Sequence, residues 1–232
     1  TCKDLSEVKH ELILQETLRN LYDGMPILEI DKALIISART LVEQDPNYTY
    51  ATARFLLRTL YTEALDFLEL PTAVYTNNHA GVYHHYFQHY IKRGVALELL
   101  DPQLRSFDLE KLGKALLPER DQQFTYLSLQ TLYDRYFLHA DDVRFELPQA
   151  FFMRIAMGLA QQESNKEDRA IEFYQLLSSF DYMASTPTLF NAGTLRPQLS
   201  SCFLTTVADD LDQIYSAIKD NALLSKFAGG LG

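Results

Sequence analysis

The chain has 232 residues, of which 47% are hydrophobic and 22% are charged, and its formal net charge is -10. This length and composition are typical of a folded chain with a sizeable core. The acidic balance argues against a polymeric nucleic acid as ligand, because such ligands need a basic face. No apolar run approaches the roughly 20 residues that span a bilayer, and the first 24 residues are too polar for a secretory signal. We therefore expect a cytoplasmic protein without membrane contact, to which a single nucleotide could still bind.

Helical spacing of apolar residues predicts three helices in the first 70 residues. The first runs from Val8 to Tyr22 with Ser6 as its N-cap, the second from Ile30 to Leu41, and the third from Tyr48 to Leu70. The simplest interpretation is a three-helix bundle.

The segment from Pro71 to Phe180 also reads as helical, and it opens with a run rich in histidine. His85 and His89 are four residues apart, which is a spacing that zinc ligands use on one helix face. Since no third ligand follows at useful spacing and several tyrosines intervene, we favour a packed aromatic helix with incidental histidines. Further helices are predicted from a cap at Asp108, from Phe124 to His139, from Glu146 onward with Pro148 in its first turn and Leu159 on its buried stripe, and from Ser164 to Phe180. A last helix is predicted to begin at Asp209. A turn is predicted at residues 141–142.

The stretch from Met183 to Leu204 breaks the helical pattern. Pro187 and Pro197 each lack a backbone donor, so the sequence between them is predicted to be loop rather than helix. Serine and threonine hydroxyls are dense here, and an ordered loop with hydroxyls and free amides can hold a phosphate. Cys202 follows, at the start of what we expect to be a buried strand. It is either an inert small hydrophobe or a reacting thiol.

Two strings in this stretch favour the reacting thiol. Thr-Pro-Thr-Leu-Phe-Asn-Ala-Gly and Arg-Pro-Gln-Leu-Ser-Ser-Cys-Phe-Leu closely resemble the start of the catalytic barrel in the large (alpha) subunit of class I ribonucleotide reductase. The resemblance implies that Cys202 is one of a redox pair that delivers two electrons to the ribose and becomes a disulfide. The second cysteine of that pair is expected beyond Gly232, the last residue of the sequence. The other cysteine of the chain, Cys2, has no implied role.

The same resemblance assigns neighbouring residues to the substrate. It implies that Ser201 contacts the substrate and that Thr186 and Thr188 lie in the loop that binds its diphosphate. Gly229 and Gly230 are similar to glycines that let the backbone approach the bound nucleotide substrate.

The segment between Leu204 and Gly229 resembles the effector-binding segment of the same family. There, an acid and a lysine help to bind the deoxynucleoside triphosphate that sets substrate specificity at the dimer interface. The matching residues are Asp209 and Lys226, with Asp210 as an alternative to Asp209.

The fold class that we expect is mainly α, a helical N-terminal region leading into the first strands of a ten-stranded α/β barrel. Residues 1–70 resemble the end of the family's regulatory ATP-cone, although we favour a plain bundle over a remnant that binds ATP. Residues 71–180 form the helical N-terminal domain of the large subunit, and residues 181–232 are the truncated start of the barrel. The chain is thus expected to be an N-terminal portion that is inactive alone.

The resemblance also implies the partners of the whole protein. These are ribonucleoside diphosphate substrates, a second large subunit in a homodimer, ATP and deoxynucleoside triphosphate effectors, and thioredoxin or glutaredoxin as reductant. No cofactor or metal is expected in this chain, because the radical comes from a small (beta) metal-containing subunit. Two other hypotheses stay open: a regulatory nucleotide-binding module in which Cys202 is inert, and a helical interaction domain without a ligand.

Overall fold

The computed structural model describes residue 2 and residues 5–71, 79–226 and 229–232. Its helices in chain order are α1 (His10–Asn20), α2 (Ile27–Thr40), α3 (Tyr48–Phe67), α4 (His79–Ala96), α5 (Leu109–Ala115), α6 (Tyr126–Arg135), α7 (Pro148–Ala160), α8 (Lys166–Ser178), α9 (Thr186–Asn191) and α10 (Leu211–Lys226). Short 3₁₀ helices lie at Leu41–Glu43, Pro102–Ser106 and Pro118–Gln123. The mainly helical class is therefore confirmed. None of the helices in the described ranges is long and apolar enough to cross a membrane.

The strands in the described residues form two small pairs. β1 (His139–Ala140) pairs antiparallel with β2 (Val143–Arg144), across a turn in which Asp141 and Asp142 both have positive φ. The turn predicted at these two residues is confirmed. β3 (Cys202–Phe203) pairs in parallel with β4 (Gly230–Leu231). The ten-stranded barrel itself stays a prediction.

The N-terminal helices pack on one another around a small core. Its buried members come from α1, α2, α3 and their flanks: Val8, Ile13, Ala38, Leu41, Tyr48 and Ala51. The three predicted helices are present, but Ser6 does not cap the first one. Helix α1 begins one residue after Lys9, whose backbone N–H donates to the hydroxyl of Tyr48 at 3.1 Å. A tertiary contact rather than a local cap thus fixes this helix start.

Helix α7 lies at the centre of the larger core, which also takes in buried residues of α3, α4, α6 and α8. Residues 148–157 of α7 are all buried. An amphipathic surface helix buries one apolar stripe, whereas α7 is buried on every side, so neighbouring elements must cover all of its surface. Pro148 sits in the first turn, as predicted, where its missing N–H costs nothing. Leu159, which the helical spacing predicts to be buried, is instead 40% exposed near the end of the helix.

Helix α9 contradicts the prediction that the sequence after Pro187 is loop. Pro187 falls in the first turn of α9, where a backbone N–H has no helical partner to lose. Loop structure does follow from Ala192 to Ser201, as predicted. The proline therefore starts the short helix instead of preventing it.

A fully buried carboxylate, Asp121, organises a polar network beside α7. It accepts hydrogen bonds from the hydroxyls of Tyr61 (2.5 Å) and Tyr83 (2.9 Å) and from the amide nitrogen of Gln149 (2.7 Å). The Tyr174 hydroxyl in turn donates to the amide oxygen of Gln149, so this amide can point only one way. All three donors to Asp121 are uncharged. Burial therefore outweighs the hydrogen bonds and raises the pKa of Asp121 from 3.8 to about 6.

The network predicts a specific pH dependence of stability. Because the pKa of Asp121 is higher in the folded chain, the folded state binds this proton more tightly, and stability is lost as the pH rises through the folded pKa. Relative to Asp121→Asn, the wild-type free energy of unfolding should fall by about 3 kcal/mol between about pH 3 and 7. Urea unfolding of both proteins across this range measures the difference. Glu43→Gln, at an exposed acid of the 3₁₀ helix Leu41–Glu43, controls for net charge, and a difference that is flat with pH would contradict the prediction.

Two leucines of α6 provide a matched test of the larger core. Leu129 is fully buried, whereas Leu127, two residues earlier, is 74% exposed. Leu129→Ala should lower the free energy of unfolding by about 2–5 kcal/mol, because it leaves a cavity. Leu127→Ala should change it by less than about 0.5 kcal/mol. Denaturant titration of the two variants checks this, and equal losses would show that α6 packs differently.

Candidate functional site

A cleft of about 800 Å³ lies beside α9 and the loop that follows it. The loop and helix supply most of the wall. The residues that follow α4, Glu98 and Leu99, and the residue before β1, Leu138, supply the rest. Its lining residues are Glu98, Leu99, Leu138, Thr186, Pro187, Phe190, Asn191, Thr194, Leu195, Arg196, Gln198, Ser200 and Ser201. Two residues predicted to bind substrate, Thr186 and Ser201, thus face the same space.

Thr188, the third residue predicted at the substrate, has a different place. Its hydroxyl donates to the carbonyl of Leu199 at 3.3 Å and lies 3.4 Å from the hydroxyl of Ser185. It is half-buried and is not among the residues that line the cleft. Thr188 therefore links α9 to the end of the loop that precedes β3.

The loop after α9 is held by its own side chains and by the end of α4. The Asn191 amide donates to the carbonyl of Gln198 at 2.7 Å, which closes the loop across its width. Gly193 has a φ of +74°, a conformation that glycine adopts without strain. Backbone bonds from Asp101 N–H to the Gly193 carbonyl and from Leu195 N–H to the Leu99 carbonyl attach the loop to the residues that follow α4. The cleft wall is therefore an ordered part of the fold.

Cys202 lies directly after the cleft-lining serines and is exposed. The prediction of a buried strand at this position is wrong for the described chain, since β3 is a two-residue strand whose first residue faces solvent. Exposure leaves the thiol accessible to another molecule.

Gly230 pairs with Cys202 across the β3–β4 ladder. A Cβ at Gly230 would lie 2.8 Å from the Ser201 carbonyl oxygen, and one at Gly229 would lie 3.0 Å from the ring of Phe203. Both glycines therefore permit the close approach of β4 to the residues around Cys202. The structure brings Ser201, Cys202, Gly229 and Gly230 together; their contact with a substrate stays a prediction.

Gly232, the residue beyond which the second redox cysteine is expected, extends the pairing of β3 and β4. Its N–H donates to the Phe203 carbonyl at 3.0 Å, and its carbonyl accepts from the Thr205 N–H at 2.8 Å. The end of the described chain is thus held beside Cys202 and gives it no thiol partner. The two cysteines of the sequence, Cys2 and Cys202, are both free. A redox partner beyond Gly232 therefore stays a prediction.

The predicted effector residues lie at opposite ends of α10. The Asp210 carboxylate accepts from the Gln213 N–H at 3.0 Å and so caps the helix, which begins at Leu211 rather than at Asp209. Asp209 is exposed beside it, and Lys226 is the last residue of the helix. At 1.5 Å per residue, the 16 residues of α10 separate these ends by about 24 Å. One chain does not bring Asp209 and Lys226 to the same phosphate.

The charges around the cleft are mixed. Glu98 and Arg196 both line it. Glu98 lies two residues after α4 and has a left-handed backbone conformation, with a φ of 57°. Behind the cleft lies a fully buried ion pair, in which Arg154 Nε is 2.7 Å from Glu146 Oε1. Burial alone would lower the pKa of Arg154, but Glu146 and the Tyr90 hydroxyl together outweigh burial and raise it, so Arg154 keeps its positive charge.

Arg154 and Glu146 were not among the residues predicted from the sequence. A signal for them existed: Arg154 is a single charge inside the apolar run Phe-Phe-Met-Arg-Ile-Ala-Met. A buried charge in such a run requires a partner of opposite sign. The sequence could not tell which of the many acids that partner is.

The histidines of α4 do not extend the site. The rings of His85 and His89 are 4.7 Å apart, and His89 Nδ1 is 2.9 Å from the carbonyl oxygen of His85. Among the residues that the structure describes, no group of three or more His, Cys, Asp or Glu side chains could hold a metal ion. The neighbouring aromatic residues of α4 are buried, which confirms the packed aromatic helix: Tyr83, Tyr86, Phe87 and Tyr90.

Comparison with known proteins gives concordant matches. Residues 122–197 match the family model described as the ribonucleotide reductase all-alpha domain. The ribonucleoside-diphosphate reductase alpha subunit of Chlamydia muridarum is 46% identical over 222 residues, which are 95% of this chain and 21% of the relative. The alpha subunit of Helicobacter pylori strain 26695 is 40% identical over 214 residues, 90% of this chain and 25% of the relative. The large subunit of Vaccinia virus (strain Copenhagen) is 33% identical over 224 residues, 95% of this chain and 27% of the relative.

The chain therefore spans about a fifth to a quarter of the length of these relatives, and the matches cover nearly all of it. The family model covers the region from the 3₁₀ helix at Pro118–Gln123 to the loop of the cleft. The resemblance seen in the loop sequence is confirmed: over nearly its whole length the chain matches an N-terminal portion of the large subunits of ribonucleoside-diphosphate reductase.

Proposed function

We propose that this chain supplies part of the substrate site of a subunit that reduces ribonucleoside diphosphates to deoxyribonucleoside diphosphates. The observation that carries the proposal is the common placement of Thr186 and Ser201 in one cleft, with the exposed thiol of Cys202 next in the chain. This arrangement puts uncharged hydrogen-bond donors beside a reducing group. Both are needed to hold a phosphorylated sugar and to deliver electrons to it.

The cleft suits a nucleoside diphosphate in its size and its donors. Binding sites for small ligands have volumes of about 300–1,000 Å³, and this cleft lies in that range. The hydroxyls of Thr186 and Ser201 can donate to phosphate or ribose oxygens. Thr188, bonded to the Leu199 carbonyl, holds the diphosphate loop in shape. The two glycines before Leu231 let β4 approach the serines and so form the adjoining edge of the site.

Cys202 acts as a two-electron donor together with a second thiol from beyond Gly232. The two thiols become one disulfide, the 2′-hydroxyl of the ribose leaves as water, and the substrate gains two electrons and two protons. Thioredoxin or glutaredoxin then reduces the disulfide by thiol–disulfide exchange, which requires an accessible sulfur. The small metal-containing subunit supplies the radical that starts the reaction.

Regulation by nucleotide effectors is proposed for the ends of α10. Since Asp209 or Asp210 lies about 24 Å along the helix from Lys226, a compact site that uses both ends takes them from two chains. This supports a site for deoxynucleoside triphosphates or ATP at the interface of a homodimer of large subunits. The N-terminal helices α1–α3 form a packed bundle, and we assign them no ATP site.

Replacing Cys202 tests the redox role. In the full-length large subunit assayed with its small subunit, Cys202→Ser should abolish deoxyribonucleotide formation with a dithiol reductant, because serine cannot form the disulfide. Equilibrium binding of the diphosphate should stay within about threefold, a small effect on the free-energy scale of binding. Cys2→Ser is the matched control and should keep full activity. Retained turnover in Cys202→Ser would instead favour a regulatory module in which this thiol is inert.

Thermal unfolding tests the effector site. Deoxynucleoside triphosphate at about 100 times its dissociation constant should stabilise the full-length subunit by about 2.7 kcal/mol. The double variant Asp209→Ala with Lys226→Ala should lose most of this gain, while Asp212→Ala, an acid in the first turn of the same helix, should keep it. If deoxynucleoside triphosphate still stabilises the double variant, the effector binds elsewhere. No gain in the wild type would favour a domain without a ligand.

A further inference from the structure

The buried pair Glu146–Arg154 is bonded to two segments of the cleft wall. Arg154 has 0% of its side chain exposed, and so has Glu146. Their contact uses both ends of the carboxylate, with Nε to Oε1 at 2.7 Å and Nη2 to Oε2 at 3.4 Å. The two planar groups are therefore fixed in orientation as well as in distance.

Arg154 directs its remaining donors to the backbone at the end of α9. Nη1 donates to the Ala192 carbonyl at 2.6 Å and to the Phe190 carbonyl at 3.4 Å, and Nη2 donates to the Leu189 carbonyl at 3.2 Å. The last carbonyls of a helix have no helical partner, and a cation is the group that suits them. Since α9 carries Thr186 and Phe190, Arg154 holds the wall of the cleft that bears the substrate hydroxyl.

Glu146 holds a second part of the cleft wall, at Leu138. Its Oε2 accepts from the Leu138 backbone N–H at 2.9 Å, and Leu138 lines the cleft together with α9. Its Oε1 accepts from the Tyr90 hydroxyl of α4 at 2.5 Å. A continuous path of charge-assisted hydrogen bonds therefore runs from Leu138 through Glu146 and Arg154 to the end of α9.

The packing of α7 adds a second restraint on the wall formed by α9. A Cβ at Gly158 would lie 2.2 Å from the Gly193 nitrogen, and one at Gly193 would lie 2.7 Å from the Arg154 carbonyl oxygen. The turn after α9 thus rests directly on the backbone of α7. Any side chain at position 158 must push this turn outward.

Stability alone does not account for the pair. Replacing a buried ion pair with apolar residues of similar volume is often neutral or stabilising, because burying two charges is costly. An arginine is, however, the one side chain that can bond a carboxylate and several carbonyls in a fixed plane. The geometry therefore favours a positional role.

We propose that Glu146 and Arg154 are positioning residues that fix the spacing between two segments of the cleft wall, Leu138 and α9, and so hold Thr186 where a bound nucleoside diphosphate requires it. The inference rests on the proposed function of the cleft. Neither side chain touches the substrate. They act through the Leu138 N–H in one segment and the α9 carbonyls in the other.

Kinetics of the full-length large subunit with its small subunit test the proposal. Arg154→Lys keeps the charge but cannot make the same planar set of bonds, so it should raise the KM for the diphosphate about tenfold with a smaller change in kcat, as loss of binding in the ground state does. Gly158→Ala should raise the KM in the same way by displacing the turn at Gly193, with no hydrogen-bonding group removed. Tyr90→Phe, which removes one bond to Glu146, should have a weaker effect of the same kind.

Leu60→Ala is the control for a general loss of stability. Leu60 is fully buried in α3, and α3 supplies none of the described residues that line the cleft. Assayed below its melting temperature, this variant should keep the wild-type KM. An equal rise in KM in Leu60→Ala, or a wild-type KM in folded Arg154→Lys and Gly158→Ala, would overturn the proposal. If Arg154→Lys does not fold, Gly158→Ala and Tyr90→Phe decide alone.

Two further variants separate this inference from the proposed function. Thr186→Ala and Ser201→Ala remove the hydroxyls that are assigned to the substrate itself. If both raise the KM while the positioning variants do not, the cleft binds substrate and only the role of the ion pair is overturned. If neither changes the KM, the cleft is not the substrate site and both proposals fall.

Discussion

The ion pair between Glu146 and Arg154 is the constraint on which the arrangement of the cleft depends. Two opposite charges are buried completely, and each must find enough hydrogen-bonding partners to offset the loss of water. Here those partners are a tyrosine hydroxyl, a backbone N–H and three backbone carbonyls. Because these groups belong to α4, to the residue before β1 and to the end of α9, satisfying the pair requires that all three come together. The pair thereby fixes the relation between distant parts of the chain.

Helix α7 also contributes to a second buried polar centre, in which the buried charge has no partner of opposite charge. Gln149 joins Asp121, whose donors are all neutral, whereas Arg154 joins Glu146 with a full positive charge. Burial dominates at Asp121, and its pKa rises to about 6. At Arg154 the Glu146 carboxylate and the Tyr90 hydroxyl raise the pKa, and the charged form persists. One centre can therefore lose its charge near neutral pH, while the other keeps its charge and its geometry.

Much of the fold could be predicted from the residues alone, because apolar spacing reports which face of a helix is buried. The cap at Asp108, the turn at residues 141–142 and the first-turn proline of α7 are local signals, and each was correct. Errors arose where a distant group competes with the local signal. Lys9 rather than Ser6 precedes α1 because Tyr48 binds its N–H, and α9 forms around Pro187 while Arg154 binds its final carbonyls. The exposure of Cys202 likewise depends on which elements pack beside it.

The sequence by itself determined the helical class and the relationship to ribonucleotide reductase large subunits, since both follow from spacing and from strings that can be read along the chain. It also selected Thr186, Ser201 and Cys202, which are close in sequence and so remain close in space. Only the tertiary structure decided that Thr188 turns to the Leu199 carbonyl, that Glu146 is the partner of Arg154, and that their bonds end on two segments of the wall of one cleft. The physical reason is that hydrogen-bond and ion-pair partners are chosen by three-dimensional proximity, which residue type and spacing do not specify.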